Sequence, residues 1–100
     1  MNTHPMKRVT IVTEALALEP IKALLARIGA HGYTYFPVAG AGAKGERPAD
    51  IAEFGNMQVE VILQPSVAAT LLQRLQADFF PRYTMIAYEN DVHVLRQGKF

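Results

Sequence analysis

The sequence predicts a single α+β domain with the element order β-α-β-β-α-β. Two observations carry that reading. Four segments are β-branched or alternate apolar with polar residues, and two others carry an apolar stripe at helical spacing between them. One hundred residues at 50% hydrophobic suit one domain with one core.

The first strand is Arg8 to Thr13. Val9, Ile11 and Thr13 alternate with Thr10 and Val12, and neither face is strongly polar, so a central strand covered on both sides is expected. Residues 1–6 read as a disordered lead-in, which leaves the domain at 7–98. The first helix begins near Pro20, a residue favoured in a first helical turn. Ile21, Leu24, Leu25 and Ile28 fall at i, i+3, i+4 and i+7 and form one stripe. Gly29 and Gly32 bracket its end, where a left-handed C-cap and a turn are expected.

Tyr33 to Val38 is the second strand, aromatic and β-branched, and Met57 to Leu63 the third, alternating with period two. The 18 residues from Ala39 to Asn56 join them, although hairpins usually close in two to five. The fold needs no such excess, so this loop is the first place to look for activity. The second helix follows Pro65-Ser66 with Val67, Leu71, Leu72 and Leu75 as its stripe, closed by Phe79, Phe80 and Pro81. Tyr83 to Tyr88 is the fourth strand, Glu89-Asn90-Asp91 a turn cluster, and Asp91 to Leu95 a short extra C-terminal strand. A right-handed first crossover puts both helices on one side of a four-stranded sheet, the ferredoxin-like arrangement. The other sheet face keeps apolar side chains with no helix to cover them, which implies self-association.

Several function classes find no support. The net charge of +1 gives no pull toward nucleic acid, and no basic run interleaves with aromatics. The absence of cysteine removes disulfides and thiolate metal sites. His4, His31 and His93 show no metal-ligand spacing. No Ser/His/Asp or Cys/His set and no carboxylate pair suggests catalysis, so no enzyme is expected. With no signal-like run and no long apolar stretch, the sequence reads as a soluble cytoplasmic protein.

Gly40-Ala-Gly-Ala-Lys-Gly-Glu-Arg47 sets three glycines among two cations at a strand end. Glycines let backbone N–H groups converge on an anion, and Lys44 and Arg47 can contact phosphate. The pattern is neither of the common phosphate-loop motifs, and a solvated loop is the bland alternative. Glu60 reads first as an exposed sheet-face carboxylate, with an interface or ribose contact as the alternative.

The segments Lys7-Arg-Val-Thr-Ile-Val-Thr-Glu-Ala15, Gly29-Ala-His-Gly-Tyr-Thr34, Gly40-Ala-Gly42, Lys44-Gly45, Asp50-Ile51 with Asn56, Val59-Glu-Val-Ile-Leu63 and Tyr83-Thr-Met-Ile-Ala-Tyr88 resemble the PII signalling superfamily. The likeness is closest to its PII-like branch, the SbtB-like and carboxysome-associated proteins. It runs from about Lys7 to Gly98. The resemblance implies a homotrimer with the bare sheet faces around a threefold axis, a T-loop over about 39–56, and adenine nucleotides in the clefts between subunits. It places Thr34 and Val38 beside the base, Gly40 and Gly42 at the ribose and phosphates, and Glu60 at the family's third-strand carboxylate. Arg96 corresponds to its phosphate-contacting arginine, and Lys44 and Arg47 to basic T-loop residues that suit bicarbonate. It also implies an unknown protein target, such as a bicarbonate transporter or a carboxysome component.

The departures from the family narrow the ligand. Asp78-Phe-Phe-Pro-Arg-Tyr83 lacks the glycine-rich, lysine-containing phosphate grip, so ADP or AMP fits better than ATP. The loop-base glutamine that serves magnesium and 2-oxoglutarate is missing, as are a T-loop tyrosine and a C-terminal cysteine pair. The rival readings on the same topology are a CutA-like trimeric metal-binding or structural protein and an ACT-like small-molecule module. An acylphosphatase would need a loop arginine after the first strand, which Glu14-Ala-Leu-Ala-Leu18 does not offer.

Overall fold

The computed structural model describes residues 2–42, 45–47, 55–96 and 98, with 42 and 45–47 as backbone only. Four strands form one antiparallel sheet: β1 (His4–Glu14), β2 (Tyr33–Val38), β5 (Asn56–Leu63) and β6 (Met85–Val94), in the order β2-β5-β1-β6. Between β2 and β5, β3 (Gly40–Gly42) and β4 (Gly45–Arg47) make a separate two-stranded ribbon. This is the ferredoxin-like α+β fold that the sequence predicts.

β1 is central because its β-branched run can pair on both sides. It lies against β5 from Lys7↔Leu63 to Glu14↔Asn56, and against β6 from His4↔Val94 to Thr13↔Met85. Val9, Ile11, Thr10 and Thr13 are buried, and the Thr13 hydroxyl donates to the Thr84 carbonyl at 2.9 Å. After a 3-10 turn, Ala15–Ala17, helix α1 (Leu18–Arg27) puts Pro20 in its first turn and buries Ile21, Leu24 and Leu25. Helix α2 (Pro65–Arg74) starts on its proline, buries Ala68 and Leu71, and continues as one π-helical stretch, Leu75–Phe79. These side chains meet Val9, Ile11, Val59 and Val61 in one core, so both helices cover the same sheet face.

α1 ends as its glycine predicts. Gly29 has φ +82°, its N–H donates to the Ala26 carbonyl, and the Ala30 N–H donates to the Leu25 carbonyl at 2.9 Å. The pair of bonds is a Schellman motif, which needs the left-handed residue. A methyl group at this position would meet no neighbour, so Gly29→Ala is expected to cost only the backbone penalty, about 1–2 kcal/mol. A urea titration measures it, and an unchanged midpoint would contradict the cap.

Two sequence expectations are corrected. Residues 4–6 are not a disordered lead-in: His4, Pro5 and Met6 are strand, opposite Val94, His93 and Val92, and Met6 is buried. The β5 register stops at Lys7, so this segment is an edge on that side, where a strand tolerates proline. The expected turn at Glu89-Asn90-Asp91 is also strand, and the separate C-terminal strand merges with the fourth into continuous β6. Partners on β1 hold all three residues. Lys7 Nζ lies 2.6 Å from Asp91 and 3.7 Å from Glu89, and Arg8 Nε donates to Asn90 Oδ1 at 3.2 Å.

Lys7 and Asp91 also carry a pH signature. Their mutual hydrogen bond heads the causes that raise the lysine pKa above its usual value and lower that of the aspartate. A depressed carboxylate pKa stabilises the fold above the ordinary carboxylate range and loses that contribution as pH falls through the folded-state value. Both groups are solvent-exposed, so the effect is small and screened by salt. Asp91→Asn is expected to lower the melting temperature slightly at neutral pH, with the gap from wild type closing in strong acid and in high salt. A gap that widens in acid would refute the pair.

Candidate functional site

Alternation along each strand decides what faces the core and what faces the open side. The open face carries Thr34 and Phe36 on β2, Gln58, Glu60 and Ile62 on β5, Arg8, Thr10 and Val12 on β1, and Ile86, Tyr88 and Asn90 on β6. No helix covers it. Ile86 is 60% exposed, Tyr88 51% and Phe36 40%.

Register lines up Thr34, Glu60, Thr10 and Tyr88 as one row across all four strands. Glu60 is half-buried, and its Oε2 accepts from Gln58 Nε2 at 2.9 Å, which orients the carboxylate along the face. Thr34 and Glu60 were expected at the site from sequence. Thr10, Tyr88 and Gln58 were not, although they share Glu60's face through strand alternation.

Val38 ends β2 opposite Asn56, and Gly40 begins the ribbon opposite Arg47. Gly42 sits opposite Gly45. The loop between β2 and β5 thus starts as a narrow glycine-rich ribbon, the local geometry in which backbone N–H groups can approach an anion. Among the described residues Gly40 has no neighbour near its missing side chain, so no described group blocks the approach there. Lys44 lies outside the described residues, and Arg47 is placed by its backbone alone.

Arg96 is exposed and follows β6, whose end pairs with His4. The loop base lies at the other end of the sheet, where Val38, Asn56 and Glu14 line up. The 11 residues of β1 span the two ends, roughly 33 Å at strand rise. One chain therefore brings Val38, Gly40 and Gly42 to the loop end, sets Thr34 and Glu60 in a row four residues further along the strands, and leaves Arg96 at the far end. Among the described residues no cluster of His, Asp or Glu suits a metal ion, and no helix is long and apolar enough to cross a membrane.

Comparison with known proteins agrees with this architecture. A solved chain described as a PII-like signaling protein of Thermus thermophilus is 42% identical, with TM-score 0.86, covering 100% of this chain and 99% of that one. CPII of Thiomonas intermedia, solved with ADP and bicarbonate, is 25% identical with TM-score 0.89, over 99% of this chain and 97% of its own. The same protein solved with ADP, AMP and acetate is 25% identical with TM-score 0.85, over 100% and 98%. No curated protein sequence matches the chain. Residues 6–99 match the family described as Nitrogen regulatory protein P-II, and the chain belongs to that family, in its PII-like branch.

Proposed function

We propose that this PII-like regulatory protein is a non-catalytic trimeric sensor that binds ADP or AMP in the clefts between subunits. The observation that carries the reading is the separation of the loop base from Arg96 by the length of β1. A phosphate held at Gly40 and Gly42 is out of reach of Arg96 of the same chain. A neighbouring chain can supply that arginine once the open faces pack together. Burial of Ile86, Tyr88 and Phe36 drives the packing, since apolar area removed from water contributes about 25 cal/mol per Å².

In the cleft, Thr34 and Val38 flank the base, Glu60 accepts from the sugar or base, and the glycine ribbon meets the phosphates. Lys44 and Arg47 then lie near the phosphate end and hold bicarbonate, the anion bound with ADP in CPII. Nucleotide and bicarbonate together order the T-loop over 39–56, and the ordered loop docks a bicarbonate transporter or a carboxysome component in the cytoplasm. The short Asp78–Tyr83 connection has no glycine for a γ-phosphate, so ATP binds more weakly.

Calorimetric titration of AMP, ADP and ATP, each with and without bicarbonate, tests the proposal. Saturable binding of ADP and AMP, tightened by bicarbonate, is expected. Binding indifferent to bicarbonate removes the carbon signal, and no binding at all removes the sensor and favours a CutA-like trimer.

A further inference from the structure

Phe36 stands apart from the other exposed apolar side chains of the open face. It lies on β2, the edge strand beside the loop base, and is 40% exposed there. Ile86 and Tyr88 lie on β6, at the opposite edge of the sheet. Among the described residues the ring contacts are Tyr33 with Tyr35, Phe79 with Tyr83 and Lys22 over Tyr35, and Phe36 takes part in none of them.

The backbone fixes where this ring is offered. Phe36 pairs with Gln58 in the sheet and precedes Pro37, and a residue before proline is held extended. The ring is therefore presented from a paired strand and not from a loop. At the rim of a face that packs on a neighbour, one ring can meet that neighbour along its edge and a ligand with its plane.

Alternation sets Thr34, Phe36 and Val38 on the open face and turns Tyr35 and Pro37 to the helix side. Thr34 and Val38 are separated along the strand by roughly 13 Å at strand rise. That span is wider than a purine, and both side chains are short. A base flanked by both must cross the residue midway between them, which is Phe36. Beside it, Gln58 Nε2 donates to Glu60 Oε2, which leaves Gln58 Oε1 and Glu60 Oε1 as acceptors for an exocyclic amine.

We propose that Phe36 is the platform on which the purine base of the nucleotide stacks, with Thr34 and Val38 at either side of it. The assignment rests on the nucleotide cleft proposed above and adds to it the side chain that grips the base. Stacking of a base on an aromatic ring needs only the two π faces, so the ring sets affinity while the acceptors beside it read the edge of the base.

Proton chemical shifts of ADP, followed as the protein is added, test the proposal. The adenine H2 and H8 protons are expected to move upfield in the ring current of Phe36. Phe36→Leu keeps an apolar side chain on the face, so trimers of that variant are expected to persist in ultracentrifugation. The same variant is expected to bind ADP roughly tenfold more weakly, the size of one base–aromatic stack, and to lose the upfield movement. Phe36→Trp is expected to keep both the affinity and the movement. Phe36→Leu binding as tightly as wild type, or wild type binding ADP with no upfield movement, would overturn the platform and leave the cleft standing. Loss of the trimer in Phe36→Leu would assign the ring to the interface and overturn the platform as well. Failure of wild type to bind ADP at all would overturn the cleft itself, and the platform with it.

Discussion

Ile86→Asp is expected to leave each chain folded yet monomeric, and to weaken ADP binding at least tenfold. Ile86 is the most exposed large apolar side chain on the open face, at 60%, and it lies outside the core cluster. The fold therefore loses little when it changes. Packed against a neighbouring face, an isoleucine side chain contributes about 1.5–3 kcal/mol, and a threefold assembly repeats the loss in every subunit. Aspartate adds the cost of burying a charge with no partner. Analytical ultracentrifugation reads the assembly and calorimetry reads the affinity. A trimer that persists with unchanged ADP binding would show that the open face is not the interface.

Arg96→Ala is expected to weaken ADP binding by roughly 10- to 100-fold while the trimer and the ligand-free melting temperature stay as they were. A hydrogen bond to a charged group is worth about 1.5–3 kcal/mol, which corresponds to that range. Arg96 is exposed and follows the last described rung of β6, so it adds nothing to the core. Loss of affinity without loss of stability separates a ligand contact from a structural role. An unchanged dissociation constant would remove Arg96 from the site.

Much of the fold was legible because local pattern and tertiary context agree. β5 alternates apolar and polar residues and buries Val59, Val61 and Leu63, as half-buried strands do. Ile21, Leu24 and Leu25 of the α1 stripe are buried and Ile28 partly so, and the Gly29 cap is left-handed. The errors arise where long-range pairing overrides local propensity. Glu89-Asn90-Asp91 looks like a turn, yet Lys7 and Arg8, distant in sequence, hold it as strand. Pro5 looks like the mark of a loose terminus, yet Met6 beside it is buried.

The candidate site divides the same way. Alternation sets Glu60 opposite Val59 and Val61 on β5 and Thr34 opposite Tyr33 and Tyr35 on β2, and that much follows from spacing. Their alignment with Thr10 and Tyr88 depends on a register that no single segment encodes. The proposed place of Arg96, beside a neighbouring chain's glycine ribbon, would belong to the assembly, and spacing within one chain cannot convey it.

The most direct test of an intersubunit site is complementation in mixed trimers. Gly40→Asp sets a carboxylate where the phosphates would lie, at a position that no described residue crowds, and Arg96→Ala removes the cation at the far end. Each variant alone is expected to bind ADP weakly. Trimers assembled from both contain clefts in which a wild-type loop base meets a wild-type Arg96, and those clefts are expected to recover tight binding. Mixed trimers that bind no better than either parent would contradict a site shared between subunits.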